Sequence, residues 1–184
     1  MNRDGQAAAG RQAGCFAEMT VADIDLVWAI EQQTYDFPWS RGNFTDSLAS
    51  GYLACLLTGP ATDGLRGVDR QARCLGYMVA MPGADEMHLL NITVRPEAQG
   101  QGHGRALLGE LMRRSIEVGA HTLWLEVRES NQRARRLYSR WGFAEAGRRK
   151  GYYPALPPQR EDAIVMKLAL PGAGQPAGVP HALV

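Results

Sequence analysis

The sequence predicts a mixed α/β fold, in which one β-sheet of about seven strands is flanked by about four helices. Short segments that are apolar, or that alternate apolar with polar residues as strands do, come in a consecutive run early in the chain. A strand–helix–strand–helix unit then follows in the second half. This order indicates a mixed sheet rather than the strictly alternating order of a doubly wound fold.

Composition limits the functional classes to which the chain can belong. Of its 184 residues 45% are hydrophobic and 21% charged, and the formal net charge is +1, so no global polyelectrolyte partner is implied. The three cysteines lack a C-x-x-C spacing, so neither a disulfide framework nor a metal is expected. The longest apolar run, Tyr52 to Leu57, is too short to span a membrane, and residues 1–14 lack the apolar centre of a signal peptide. We expect a cytoplasmic protein without a membrane partner, and a monomer.

Residues 1–14 and 171–184 are rich in Gly, Ala, Pro and Gln without periodicity, which predicts two flexible tails. A single domain is expected over residues 15–170, because no repeat or second change of composition interrupts it. Within it, residues 59–72 hold Gly, Pro, Asp and Arg between two apolar runs. They predict an exposed loop between strands.

The first half of this domain is predicted from helix caps and periodicity. Thr20 is a suitable N-cap for a helix over Val21–Thr34, where apolar residues recur every three or four positions. Phe37-Pro-Trp-Ser40 ends this helix, and Ser40 can cap a second short helix toward Ser50. Four strands are expected around the two helices: Cys15–Met19, Tyr52–Thr58, Arg73–Met81 and Met87–Val94.

The second half alternates helices and strands. Gly102–Val118 is strongly amphipathic and predicts a long helix. Thr122–Arg128 alternates as a strand does, and Ser130 or Asn131 can cap a further helix that runs to about Arg140. The closing strands are expected at Phe143–Gly147 and Ala163–Leu168.

Three glycines at alternate positions, Gly100, Gly102 and Gly104, stand between the strand that ends at Val94 and the long helix. The free N–H groups and the dipole of a helix start bind phosphate, and residues without side chains let phosphate approach. The alternative is a tight connection that needs only positive φ angles. The dinucleotide pattern G-x-G-x-x-G fails because Arg105 stands three residues after Gly102, and no Gly-Lys-Ser/Thr follows to make a P-loop.

A carboxylate, Glu126, stands in mid-strand on the same face as Arg128. One interpretation is a partly exposed glutamate that pairs with Arg128, and the other is a general base. Acyl transfer to an amine requires such a base, because α-amines with a pKa of about 8 and lysine amines with a pKa of about 10.4 are protonated near neutral pH. Tyr138, two helical turns beyond Asn131, is either a core tyrosine or the acid that protonates a leaving thiolate.

The pattern Gln99-x-x-Gly102-x-Gly104 resembles the acyl-CoA pyrophosphate loop of the GNAT superfamily of N-acetyltransferases, written Q/R-x-x-G-x-G/A. Four further stretches resemble its bacterial RimI-type branch, whose members acetylate the N-terminal alanine of a small-subunit ribosomal protein (S-18). They are Phe37-Pro-Trp-Ser40, Asn91-Ile-Thr-Val94, Trp124-Leu-Glu-Val-Arg128 with Asn131, and Lys150-Gly-Tyr-Tyr-Pro154 followed by Arg160-Glu-Asp-Ala-Ile-Val-Met166.

This resemblance implies a strongly bent mixed sheet in which two central parallel strands splay and open a slot for the pantetheine arm of acetyl-CoA. It also implies that Glu126 is the general base and Tyr138 the general acid. The implied acceptor walls are Phe37, Trp39, Tyr152 and Tyr153. The implied contacts to acetyl-CoA are Ile92, Thr93, Val94, Gly100, Gln101, Gly102, His103, Gly104, Arg105, Asn131 and Tyr138. Gly100 departs from the family, in which an Arg is common at this position.

The sequence leaves three functions open. They are transfer to a protein N-terminus, with the ribosomal protein as partner, transfer to a lysine or a small amine, and binding of coenzyme A without catalysis. Eight of the 20 basic residues form a cluster that either contacts phosphate or a ribosomal surface, or is a solvated face. No stacking platform for bases is evident, so sequence-specific nucleic-acid binding is not expected. The cluster comprises Arg128, Arg133, Arg135, Arg136, Arg140, Arg148, Arg149 and Lys150.

Overall fold

The structure, a computed structural model, describes residues 14–59, 73–156 and 158–171. The predicted tails and the predicted 59–72 loop lie outside these residues, apart from residues 14, 59 and 171. The strands are β1 (Cys15–Glu18), β2 (Leu53–Thr58), β3 (Cys74–Pro82), β4 (Glu86–Val94), β5 (Thr122–Arg128), β6 (Ala144–Pro154) and β7 (Arg160–Ala169). The α-helices are α1 (Ile24–Thr34), α2 (Arg41–Ala49), α3 (His103–Glu117) and α4 (Gln132–Arg140), and short 3-10 turns lie at Val21–Asp23 and Pro96–Ala98.

The seven strands form one sheet in the order β1-β2-β3-β4-β5-β7-β6. The pair β4 and β5 is parallel, and the other neighbours are antiparallel. Helix α3 supplies the crossover that the parallel pair requires. The predicted mixed α/β class, with seven strands and four α-helices in the described residues, is confirmed.

Two apolar layers cover opposite faces of the sheet. Alternate residues of β3 divide between them: Met78 joins the layer under α3 and α4, whereas Tyr77 joins the layer under α1 and α2. On the first face Leu107 and Leu111 of α3 are fully buried. A buried leucine contributes roughly 1.5–3 kcal/mol to folding, so this packing holds α3 firmly against the strands that end at the glycine segment.

The predicted helix caps at Ser40 and Asn131 are confirmed. Ser40 Oγ accepts a hydrogen bond from the Asn43 backbone N–H at 3.2 Å, and Asn131 Oδ1 accepts one from the Ala134 N–H at 3.0 Å. Such caps satisfy N–H groups that have no partner within the helix. They fix where α2 and α4 begin, and therefore the direction in which the segments before them point.

The last two strands are longer than the sequence predicts. β6 extends to Pro154 instead of Gly147, and β7 begins at Arg160 instead of Ala163, because Tyr153 pairs with Glu161 and Pro154 with Arg160. Almost every residue of β6 is exposed, so no alternation of apolar and polar residues marks its extent in the sequence. The longer hairpin extends the sheet at the end of β5, where β7 pairs with β5 and the segment 148–154 of β6 lies on the far side of β7.

Candidate active site

The parallel pairing of β4 and β5 stops halfway along the two strands. It runs from Glu86 opposite Thr122 to Leu89 opposite Leu125, and none of residues 90–94 pairs with β5. A bulge on β4 accompanies this change, since Val79 of β3 faces Asn91 while the next residue, Ala80, faces Leu89. An open slot therefore separates the carboxyl ends of β4 and β5, and it is edged by backbone N–H and C=O groups that lack a strand partner on that side.

The glycine segment lies between the end of β4 and the start of α3. Gly100 and Gly102 adopt φ angles of 82° and 90°, which only glycine adopts without strain. A Cβ added to either residue would meet nothing within 4 Å, so the outer side of the segment is open. Gly104 differs, because a Cβ there would touch Leu137 at 3.7 Å. The positive φ angles confirm that two of the glycines are needed for the turn, while phosphate binding in the open space beside them stays a prediction.

The N-terminus of α3 is suited to an anion. Its N-cap residue, Gly102, offers no side-chain oxygen to the first N–H groups, and the first turn contains no acidic residue. The Gln99 amide ties this loop to its surroundings: its Nε2 donates to the Val94 carbonyl at 3.1 Å, and its Oε1 accepts from Arg133 at 2.9 Å. Partial positive charge at a helix start, with free N–H groups, matches a pyrophosphate.

Glu126 lies on β5 beside the slot. The strand alternates as predicted, with Leu125 and Val127 buried and Glu126 partly exposed. The predicted pairing of Glu126 with Arg128 is wrong. Glu126 Oε1 pairs with Nε of Arg149 at 2.9 Å, whereas Arg128 pairs with Glu161 at 3.1 Å. Residues two apart on a strand point to the same face but stand far apart along it, so partners from the neighbouring hairpin are closer.

Tyr138 lies on α4 with 5% of its surface exposed, and its ring packs against Phe143 at 5.7 Å between centroids. Burial raises the pKa of Tyr138 well above its ordinary value, and the nearby hydroxyl groups of Tyr35 and Tyr153 add to this shift. The phenol therefore keeps its proton at neutral pH. Tyr138 is a core tyrosine, as one interpretation expects, and its role as the acid stays a prediction.

The two predicted acceptor walls come together around one side chain. The guanidinium of Arg128 lies 4.5 Å from the ring centre of Tyr153 and 5.7 Å from that of Phe37. Tyr152 meets Tyr153 edge-on at 5.0 Å, and burial followed by the charge of Glu126 raises the pKa of Tyr153. The aromatic rings of residues 37 and 153 thus border the same region as the Glu126 carboxylate.

Some predicted residues lie at the rim of the site. Gln101 and Arg105 are exposed at the glycine segment, and His103 is half-buried there. Ile92, Thr93 and Val94 line the open end of β4. The basic cluster is mostly exposed, and four of its members are also in ion pairs with carboxylates: Arg128, Arg135, Arg148 and Arg149.

Comparison with known proteins identifies the fold and its family. The model of the Acetyltransferase (GNAT) family matches residues 24–143. The chain belongs to this acetyltransferase family. It is 37% identical over 151 residues to the [Ribosomal protein bS18]-alanine N-acetyltransferase of Haemophilus influenzae. This alignment covers 82% of this chain and 95% of that protein. The protein of the same description in Escherichia coli strain K12 is 37% identical over 155 residues, covering 84% of this chain and 97% of that one.

A solved structure agrees with these relatives. The crystal structure of the alanine N-acetyltransferase of the same ribosomal protein, from Escherichia coli, superimposes with a TM-score of 0.75 at 36% identity, covering 88% of this chain and 97% of that one. None of the helices in the described part of the chain has the length and apolarity needed to cross a membrane. No cluster of three or more His, Cys, Asp or Glu residues suited to a metal occurs among the described residues.

Two residues of this GNAT site carry no sequence signal of their own. Arg149 reaches Glu126 only because β6 and β7 pair, and its place in a basic run gives no hint of that partner. Tyr35 lies at the end of α1, yet its hydroxyl is 3.0 Å from Oγ1 of Thr93 on the slot edge. Contacts between residues 58 positions apart depend on the tertiary fold, and periodicity cannot reveal them.

Proposed function

We propose that this chain transfers the acetyl group of acetyl-CoA to the N-terminal α-amine of a protein, namely the N-terminal alanine of ribosomal protein bS18. One observation carries the choice of acceptor: 37% identity along nearly the whole length of relatives that bear this activity in their names. The open slot at the ends of β4 and β5, the glycine segment that follows β4 and the Glu126 carboxylate on β5 support acetyl transfer as the chemistry.

The described residues suit acetyl-CoA as the second substrate. The start of α3 would hold the pyrophosphate, and the unpaired backbone groups of residues 92–94 would hold the amides of the pantetheine arm. Asn131 caps the start of α4 and Tyr138 lies in its last turn, and both would contact acetyl-CoA from this helix. Acetyl-CoA supplies the acetyl group as a thioester, which the acceptor amine attacks while coenzyme A leaves as a thiol.

Glu126 and Tyr138 handle the two protons of this exchange. Glu126 takes a proton from the acceptor amine, directly or through one water, because an ammonium has no lone pair with which to attack. Tyr138 gives its phenol proton to the departing sulfur, although burial raises its pKa and so makes it a weaker acid, and the second proton that the nitrogen loses on forming the amide restores the phenol. The C–N bond that forms replaces the C–S bond that breaks, and no acyl-enzyme is needed. Buried Cys55 is not a competing nucleophile, since burial raises the pKa of its thiol to about 11.

The acceptor enters from the side of the aromatic walls. Phe37 and Tyr152 are 39% and 42% exposed, so both can lie against a peptide, while Trp39 and Tyr153 are more deeply placed behind them. A chain terminus held between two such walls presents its amine to Glu126. A lysine side chain would have to bring its own backbone to the same walls, which favours a terminus over a side chain.

The decisive experiment incubates the protein with labelled acetyl-CoA and a synthetic peptide that copies the first residues of bS18 from alanine onward. Mass spectrometry should place a single acetyl group on the α-amine. A matched peptide with a blocked α-amine and an internal lysine should stay unmodified. Turnover on the lysine peptide or on a small amine, with none on the alanine peptide, would overturn the proposed acceptor.

A further inference from the structure

A buried carboxylate outside the proposed reaction lies behind both substrate sites. Glu31 of α1 is 2% exposed and accepts hydrogen bonds from three residues, while the hydroxyl of a fourth lies 3.5 Å away. Its Oε1 accepts from the Trp39 backbone N–H at 3.0 Å and from Asn91 Nδ2 at 3.1 Å. Its Oε2 accepts from the Tyr77 hydroxyl and lies 3.5 Å from the Thr93 hydroxyl. Within the described residues no Lys, Arg or His forms an ion pair with it.

Burying this carboxylate lowers the stability of the fold. A carboxylate taken out of water needs every oxygen lone pair satisfied, and apolar residues of similar volume often serve stability better. What the carboxylate provides instead is geometry, because its donors come from three separate segments: the residues before α2, strand β3 and strand β4. A fully satisfied polar network specifies one arrangement of those segments and excludes close alternatives.

One end of the network fixes the acceptor wall. The backbone N–H of Trp39 is anchored to Glu31, and the Trp39 ring packs on Phe44 at 5.3 Å between centroids. Phe44 in turn meets the ring of Tyr77 edge-on at 5.6 Å. Since the Tyr77 hydroxyl returns to Glu31, backbone and side chain of Trp39 are tied to the same carboxylate by two routes.

The other end fixes the slot edge. The Thr93 hydroxyl donates to Asn91 Oδ1 at 2.9 Å, and the Tyr35 hydroxyl lies 3.0 Å from Thr93 Oγ1 and 3.4 Å from the Ile92 carbonyl oxygen. Residues 91–93 belong to the part of β4 that has no partner on β5, so these side-chain bonds replace the lateral support that a neighbouring strand would give. Burial raises the pKa of Tyr35, and the Glu31 charge adds to this, so its hydroxyl stays a donor at neutral pH.

Resting on the function proposed above, we propose that Glu31 is a positioning residue of the transfer reaction, which holds the acceptor wall at Trp39 and the acyl-binding end of β4 in one fixed relationship. Glu31 touches neither substrate. It acts through Trp39 on the peptide and through Asn91 and Thr93 on acetyl-CoA. A displacement of about 1 Å between two bound reactants can cost roughly 100-fold in rate, so small movements of either segment are sufficient.

The test compares Glu31→Gln with Glu110→Gln. Glu110 is a matched control, because it is also a largely buried carboxylate that binds several donors, Arg113 and Arg114, but it lies on α3 away from both substrate sites. Acetyl-CoA affinity is measured by calorimetry, and kcat and KM on the alanine peptide are measured well below each melting temperature. Glu31→Gln should weaken acetyl-CoA binding roughly fivefold or more, the lower end of typical coupling between sites. Its kcat/KM for the peptide should fall roughly tenfold or more. Glu110→Gln should change neither constant.

A role confined to stability predicts a different pattern. Glu31→Gln would then lower the melting temperature, as the control does, with acetyl-CoA affinity and both kinetic constants unchanged, and that result overturns the inference. Tyr35→Phe keeps the ring and removes one bond at the slot edge, so it should weaken acetyl-CoA binding in the same direction. The double variant should lose less than the product of the two single effects, since both act through Thr93.

Two further outcomes are also decisive. If Glu31→Gln does not fold, Tyr35→Phe and Thr93→Val take its place, and unchanged acetyl-CoA affinity in both overturns the role. If the unaltered protein binds acetyl-CoA but does not acetylate the alanine peptide, the proposed acceptor is wrong. The Glu31 role is then decided by acetyl-CoA affinity alone, which does not depend on the acceptor.

Discussion

The Nε atom of Arg149 lies 2.9 Å from Oε1 of Glu126, and this ion pair joins the outermost strand β6 to the central strand β5. The arginine side chain is 58% exposed, and its guanidinium lies 5.4 Å from the ring centre of Tyr152. Exposed pairs of this kind contribute only about 0–1 kcal/mol to stability. An incoming ammonium can therefore replace Arg149 at the carboxylate at low cost.

Glu126→Gln should abolish most turnover while the protein remains folded. The amide cannot take a proton from the acceptor amine, and loss of a general base costs roughly 100- to 10,000-fold in kcat. Acetyl-CoA affinity should stay nearly unchanged, because the amide keeps the size of the side chain. Steady-state kinetics on the alanine peptide and calorimetry with acetyl-CoA measure the two quantities.

Glu129→Gln is the matched control for this change. Glu129 is also paired with an arginine of β6, Arg148 at 2.8 Å, but it lies beyond the end of β5. Its replacement should leave turnover within a fewfold of the unaltered protein. Substantial activity in Glu126→Gln would remove Glu126 from the role of base.

Tyr138→Phe should slow the release of coenzyme A without destabilising the fold. Among the described residues the Tyr138 hydroxyl has no hydrogen-bond partner, so its removal is nearly neutral for stability. We expect kcat to fall roughly 100-fold, with the melting temperature almost unchanged. An unaltered kcat would mean that water or another group protonates the thiolate.

Gly102→Ala should damage the glycine segment through its backbone conformation. A residue with a Cβ at φ 90° carries a strain of about 1–3 kcal/mol, although the space around Gly102 is open. The loop is expected to relax, and acetyl-CoA affinity should fall in calorimetry. Gly147→Ala is the control, because Gly147 also has open space around it but does not have a positive φ. Equal acetyl-CoA affinity in the two variants would argue against a phosphate site at the α3 N-terminus.

Alkaline pH should destabilise the protein in a measurable way. Burial raises the pKa of Tyr77 and of Tyr138, with the Glu31 charge adding to the shift of Tyr77. Above pH 10 the unfolded chain releases these protons while the folded chain keeps them, so the free energy of unfolding falls by about 1.4 kcal/mol per pH unit for each group. Below pH 10 this contribution is fully present. Denaturant titrations at pH 9 to 11 measure this fall in the free energy of unfolding. In Tyr138→Phe the fall per pH unit should be smaller by the contribution of one group, about 1.4 kcal/mol.

Local chemistry made much of the fold predictable. The caps at Ser40 and Asn131 act through residues three positions away, and the alternation of β5 depends only on which side chains face the core. The open slot and the glycine segment were expected from resemblance to a family, and the strand register and φ angles agree with that expectation.

What could not be predicted depends on contacts between distant parts of the chain. The partner of Glu126 is set by the β6–β7 hairpin, and the polar sequence of β6 conceals that the strand continues beyond Gly147 to Pro154. Glu31 has the spacing of an ordinary helix residue, yet its partners Asn91 and Thr93 lie 60 and 62 positions away. Their meeting follows from the order of strands in the sheet, which no local pattern encodes.

The early end of pairing between β4 and β5 makes the sheet of the free protein incomplete. A pantetheine arm carries two amides spaced along an extended chain, so we expect it to bind as a short extra strand between residues 90–94 and the end of β5. Acetyl-CoA is then a structural part of the fold as well as a reactant. The backbone N–H groups of residues 90–94 should exchange with solvent faster in the free protein, and the melting temperature should rise with acetyl-CoA concentration, as it does for any ligand that binds only the folded state.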